Sequence, residues 1–319
     1  MGSRAQVIVC RDGGKRFGDE GRSGIVISKS GRPFFEDGDE ERVILDAVQR
    51  AVAASGLWEE LATDWIVLDG EMLPWNAKAG SLIRDTFAAT ASAGLESTTA
   101  TMLAYEAVAR RGVENAAALS SRAGEHHQAL EHFRAAYRPF VTPYAGAQDL
   151  RFAPFHVLAV EGRVFTVESP AWHMRAMERL ARHSDGVLVA TDWREVDLGD
   201  EEGIAATLRW FEEITAAGDE GLIIKALDLL PRGPTTAPSI KVRGREYLRI
   251  IYGPEYDRPE ILTGLKKRNT GRKRTMARIG TVLGQESLAR FVEREPLARV
   301  HEVVAACVAV ASEPIDSRL

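Results

Sequence analysis

Apolar and polar positions change their period several times along this chain, and each change marks a predicted element. Residues 5–35 alternate short β-prone runs, Val7 to Cys10 and Ile25 to Ser28, with turns at Gly13, Gly14, Gly18, Gly21 and Gly24, which predicts antiparallel strands. From about 40 to 60, Val43, Ile44, Ala47, Val48 and Ala51 recur at three and four, with Trp58 beyond, the signature of a helix with one buried face. Trp65 to Leu68 is a β-prone run leading directly into Asp69-Gly70-Glu71. Residues 84–140 carry helical spacing, with no proline until Pro139, and predict an inserted helical module. Strand patterns return at 152–168 and 186–191, a helix fits 201–216, and β-prone Leu222 to Ile224 and Tyr247 to Tyr252 close the sheet region. The last 60 residues read as helical. Strands and helices in this irregular order predict an α+β fold rather than a βαβ repeat.

Composition narrows this only at a few points. A chain of 319 residues with 45% hydrophobic content can bury one large core or two modest ones, which excludes a disordered protein. Its formal net charge of −5 gives no global cationic field, so any site for a polyanion must be local. Cys10 and Cys307 make neither a disulfide framework nor a metal cluster, which points to a reduced, cytoplasmic setting. The apolar run Val7 to Val9 is too short for a signal peptide or a membrane span, and no membrane association is expected.

Five short segments carry candidate chemistry. Asp69-Gly70-Glu71 sets two acids at the end of a strand, although an ordinary turn reads the same way. In Glu220-Gly221-Leu222-Ile223-Ile224-Lys225, strand alternation places Lys225 on the face of Ile223, where it either snorkels at the strand end or meets a phosphate. Lys241-Val242-Arg243 puts two cations on one strand face, where they repel unless an anion sits between them; a charge-protected strand edge is the alternative. Phe155-His156 lies in the run Phe152 to Val160, where an aromatic serves either as core or as a stacking platform. Arg4 follows Gly2-Ser3 near the start and could simply be solvated. Together, two acids, three strand-borne cations and an aromatic match the needs of adenylyl transfer, in which a triphosphate is neutralised and charge on the α-phosphate is stabilised.

In order and spacing, the Leu-Asp-Gly-Glu, Glu-Gly-Leu-Ile-Ile-Lys and Lys-Val-Arg blocks resemble the third, fourth and fifth motifs of the covalent nucleotidyltransferases, the superfamily of DNA and RNA ligases and mRNA capping enzymes. Met1 to Asp12, Ile240 to Gly253, and the tail from Gly271-Arg-Lys-Arg274 through Glu295-Pro-Leu297 to Val300-His-Glu302 are similar to the ligase domain of bacterial polynucleotide kinase-phosphatase, an RNA-repair enzyme. The resemblance covers essentially the whole chain. It implies a nucleotidyltransferase core of ATP-grasp-like antiparallel sheets over 1–83 and 149–255, an inserted helical module over 84–148 and a C-terminal helical module over 256–319.

The resemblance also implies roles. Phe155 would stack on adenine, Glu71 would contact the ribose or a metal-bound water, Glu220 with Glu71 would hold Mg2+ or Mn2+, and Lys225, Lys241 and Arg243 would grip the phosphates of ATP. Arg4 matches the arginine of the first motif, while Lys29 stands where the family has arginine, which loses bidentate phosphate geometry. That motif reads Lys-x-x-Gly-Ser-Arg, so the nucleophilic lysine that becomes linked to AMP is expected two residues before Met1, in a longer protein with kinase and phosphatase domains. Lys15-Arg16-Phe17-Gly18 also fits Lys-x-x-Gly, within a glycine-rich turn region. A non-catalytic RNA-binding or scaffolding subunit of the same fold is the alternative, and a capping guanylyltransferase is disfavoured by the helical tail. Lys266 to Arg278 holds seven basic residues, including Lys266, Lys267, Arg272, Lys273 and Arg274, as a candidate contact for RNA with broken ends. The family acts with an RNA 3′-end ribose methyltransferase, for which the helical insertion is the expected docking surface. His126, His127 and His132 lack metal-ligand spacing and read as surface residues.

Overall fold

The computed structural model describes residues 1–17, 21–227, 237–268 and 270–312. Ser3–Cys10 (β1), Gly24–Ser28 (β2), Trp65–Leu73 (β3), Arg151–Val160 (β4) and Arg163–Val164 (β5) form one antiparallel sheet in the order β2-β1-β3-β4-β5. Gly38–Ala54 (α1) starts where the Asp37 side chain accepts from the Asp39 amide, with Asp39, Glu40 and Glu41 in its first turn complementing the helix dipole. Leu57–Glu60 (α2) follows Gly56, which takes a left-handed conformation, so the helix predicted over 40–60 is divided in two.

Next come Asn76–Leu82 (α3), a π-helical turn over 83–88, Ala89–Ala109 (α4) and Ala116–Tyr137 (α5). The helical run therefore begins before residue 84. Pro170–Arg182 (α6) is capped by Ser169 with Pro170 in its first turn, and Glu201–Ala216 (α7) by Asp200. Gly221–Ile224 (β6) and Ile240–Arg243 (β7) pair as a separate antiparallel ribbon. Arg245–Tyr252 (α8), Pro259–Lys266 (α9), Gly271–Val292 (α10) and Leu297–Ser312 (α11) complete the described chain, and residues 313–319 of the predicted helical tail lie outside it.

Three predicted strands are corrected. Tyr247 to Tyr252 is the helix α8, not a strand: Tyr247 meets the Phe140 ring edge-on and Ile250 packs with Phe133 and Tyr137, so residues three apart share a face. The 186–191 run contributes only a parallel bridge between Leu188 and Phe152. The run predicted over 152–168 ends at Val160, apart from the two-residue β5.

The two faces of the large sheet differ. Val7, Val9, Val26, Leu68, Met72, Phe152 and Val157 fill one face, covered by α1 and α6 through residues such as Ile44, Val48, Met177 and Leu180. Alternate residues face the other way. There Cys10, Trp65 and Val67 form a second cluster with Phe291 and Val292 of α10, and Phe17 stacks on Phe291. Farther along the same two strands the residues in phase with this cluster are Arg4, Asp69 and Glu71, and beside them the sheet is polar.

Candidate active site

Arg4 on β1 lies opposite Glu71 on β3, and Asp69 lies opposite His156 on β4. Arg4 donates from Nε to Asp69 Oδ1 at 3.0 Å and from Nη2 to Oδ2 at 2.6 Å, a bidentate pair on a carboxylate with no exposed surface. Gly70 is required between the two acids because a Cβ there would lie 2.6 Å from the Ala153 carbonyl oxygen.

The β3–β4 register shifts between Asp69 and Gly70: Asp69 pairs with His156 but Gly70 with Pro154, which leaves Phe155 as the extra residue of a bulge. Pro154 has no N–H to donate to the ladder, and a bulge accommodates it. As a result two consecutive side chains reach one group, the Lys225 ammonium, which lies 3.0 Å from His156 Nε2 and 5.5 Å from the Phe155 ring centre.

The ribbon supplies the other half. Lys225 lies one residue beyond the end of β6, and Gly221 opposes Arg243 while Ile223 opposes Lys241. Gly221 has φ of 121°, and a Cβ would lie 2.2 Å from the Val242 carbonyl oxygen. Glu220 pairs with Arg243 at 3.1 Å, and Arg243 also stacks on Tyr247. Glu220 thus supplies an anion to Arg243, and its charge also acts on Lys241. The Met1 ammonium lies 3.9 Å from the same Glu220.

These contacts tune the charges. Burial and then Glu220 push the Glu71 carboxyl above its usual range, while burial pulls the Lys225 ammonium below that of an ordinary lysine. Burial and the adjacent Arg243 do the same to Lys241. Burial opposes the charge on Asp69, yet His156 and Arg4 hold its carboxyl below normal. Burial and Glu220 push the Tyr247 hydroxyl up to about 12.

Arg4, Glu71, Phe155, Glu220, Lys225, Lys241 and Arg243 are therefore drawn from four strands and the two ends of a fifth, β6, into a single polar cluster. Lys29 is exposed just beyond the Ala5–Ser28 pair, at the sheet edge beside Arg4. Lys15 lies past the opposite end of β1, on the order of 20 Å from Arg4 at about 3.3 Å per residue, and Gly18 of its pattern lies outside the described residues. Lys266, Lys267, Arg272, Lys273 and Arg274 are exposed on the end of α9 and the start of α10. His126 and His127 contact Glu255 and Glu131 near the surface of α5. Sequence reasoning missed the pairing of Asp69 with Arg4 and the placement of His156; Pro154 inside a strand was the available signal for the bulge.

A family model described as PNKP adenylyltransferase domain, ligase domain matches residues 1–314. The chain belongs to this family. Two solved structures, described as the Pnkp1/Rnl/Hen1 complex and the Pnkp1/Rnl/Hen1 RNA repair complex, contain chains similar to this one at 17% and 18% identity. Their TM-scores are 0.66 and 0.63, and each match covers all of this chain and 84% of the other, which establishes a shared fold. No curated protein matches. Among the described residues no helix of this PNKP ligase domain is long and apolar enough to cross a membrane.

Proposed function

We propose that this ligase domain transfers adenylate from ATP during the sealing of RNA 5′-phosphate and 3′-hydroxyl ends, in RNA repair. The observation that carries the reading is the convergence of Lys225, Lys241 and Arg243 with Glu71 and Glu220 beside a half-buried aromatic, Phe155, on the polar part of the sheet face. Its framework is a nucleotidyltransferase core over 1–83 and 149–255, with helical modules over 84–148 and 256–319.

Phe155 stacks on the adenine. Lys225, Lys241 and Arg243 neutralise the phosphates and stabilise charge at the α-phosphate, which is worth most where water is excluded. Glu71 and Glu220 are too few to enclose a cation, and among the described residues no group of three acidic, histidine or cysteine ligands occurs. Two carboxylates nevertheless fit Mg2+ or Mn2+, because such ions complete their shell with phosphate oxygens and water. A divalent ion held there would supply further neutralisation of the triphosphate. Burial and then Glu220 push the Glu71 carboxyl upward, and a cation arriving between the two carboxylates would favour its charged form. The basic run of α9 and α10 provides phosphate contacts for broken RNA, and the helical module over 84–148 docks a 3′-end ribose methyltransferase.

Residues attached ahead of Met1 would start at Glu220, beside the phosphate-binding cations. The test therefore compares the chain with a version extended by Lys-Xaa before Met1, which restores Lys-x-x-Gly-Ser-Arg. With labelled ATP and Mg2+ or Mn2+, covalent label is expected on the extended chain, and both versions are expected to seal RNA that is already 5′-adenylylated. Sealing by neither overturns the reading, and salt-sensitive RNA binding without sealing would favour a non-catalytic RNA-binding subunit.

A further inference from the structure

The strand ladder of β6 stops at Ile224, so the Lys225 backbone is the first beyond it, and the side chain carries four rotatable bonds to its ammonium. A lysine is a point charge on a flexible stem, with about 2 kcal/mol of rotamer entropy to lose when it is placed. Something must hold it. The structure shows one direct polar contact for its Nζ among the described residues, the His156 Nε2 at 3.0 Å.

That ring is fixed on several sides. Its Nδ1 faces Asp69 Oδ2 at 3.7 Å, and Asp69 is itself clamped by both donors of Arg4. Phe155 meets the ring edge-on at 5.2 Å, and His173 does so at 4.9 Å. The His173 Nδ1 accepts the Val157 N–H at 3.2 Å, which locks that second ring in place one residue from His156 on β4. An ammonium can only donate, so the His156 Nε2 must present a lone pair and the ring proton must sit on Nδ1, toward Asp69. Burial, outweighing Asp69, keeps the ring in this neutral form.

We propose that His156 is a positioning residue for Lys225, aiming its ammonium at the phosphate end of the site through a chain anchored in Asp69 and Arg4. This rests on the ligase reading and deepens it. The bulge at Phe155 gives the device its shape, because it lets Phe155 serve the adenine while the next residue aims the cation. His156 touches no reacting atom and acts through Lys225.

The test measures single-turnover sealing of 5′-adenylylated RNA and, separately, ATP affinity by calorimetry. His156→Ala is expected to slow sealing by about 30-fold while ATP affinity stays within about threefold, the split expected when an interaction matters mainly in the transition state. His156→Gln, whose amide oxygen stands near the Nε2 position, should recover to within about fivefold, whereas the shorter His156→Asn should not. In a Lys225→Ala background His156→Ala should add less than about twofold, because the two residues act as a unit. Full sealing by His156→Ala, additive losses in the double variant, or a Gln variant as slow as Ala would each overturn the proposal. Failure of the ligase reading shows elsewhere, as an unmutated chain that neither binds ATP nor seals.

Discussion

The site is built from two halves of different construction. The sheet half, Arg4, Asp69, Glu71, Phe155 and His156, stands on five strands whose opposite face is a filled apolar core. The ribbon half, Glu220, Lys225, Lys241 and Arg243, stands on two strands of four residues, with Ile223, Ile224 and Ile240 each about half exposed and no fully buried residue in the neighbouring α7. One half is anchored by burial. The other is held by charge: α8 continues directly from β7, and its buried Arg249 donates to Asp257 Oδ2 at 2.8 Å, to Glu246 and to the Pro254 carbonyl. The sheet half is therefore preformed, while the ribbon half takes its firmness from ion pairs and from whatever anion bridges its cations.

The largest effect belongs to the sheet. Phe152 is fully buried beneath the site strands, and Phe152→Ala should cost about 3–5 kcal/mol in denaturant unfolding, the usual cost of a large core cavity. A cost under about 1 kcal/mol would mean the sheet is no better packed than the ribbon, and the contrast would fail.

The same contrast decides what the sequence revealed. The sheet half was legible where a β-prone run is unbroken: Trp65 to Leu68 running into Asp69-Gly70-Glu71 is the site strand β3. It was illegible where alternation breaks, because a bulge is a tertiary adjustment between two strands and His156 gains meaning only from Asp69 across the ladder. The ribbon was readable as two short β-prone runs with spaced cations. Its anchor was not, since Tyr247 to Tyr252 is rich in β-prone residues and becomes a helix only because Tyr247 and Ile250 pack together against the inserted helices. Arg249, at the centre of that run, is the buried half of an ion pair.

The second prediction tests that ion pair. Asp257→Asn leaves the Arg249 guanidinium buried with a weakened partner and should destabilise the protein by about 2–3 kcal/mol, measured as a shift in the unfolding midpoint. The pH dependence follows from the same contact. The hydrogen bond from Arg249, with help from Arg245 and against burial, holds the Asp257 carboxyl down to about 2, compared with 3.8 for a free aspartate. A depressed carboxylate binds fewer protons folded than unfolded, so its contribution is complete above pH 3.8 and disappears as the pH falls through about 2. The Asn variant should lose that segment of the acid-unfolding profile and behave like the parent at the acid end. An unchanged profile would show that the back of the ribbon is held by something else.

The smallest expected effect sharpens the comparison most. Ile224 pairs with Ile240 across the ribbon, and they are 52% and 58% exposed, so little apolar surface returns to water when one is shortened. Ile224→Ala should therefore change stability by less than about 0.5 kcal/mol, within the range of ordinary surface substitutions. Its effect on the neighbouring Lys225 should also be small, because that ammonium is held from the sheet by His156 rather than by the ribbon's side chains. Unfolding and sealing rates measured on the same variant separate the two claims. A stability loss above about 2 kcal/mol would reveal an apolar core beneath the ribbon. A stable variant that seals slowly would mean that the ribbon itself, and not the bulged strand facing it, decides where the Lys225 ammonium points.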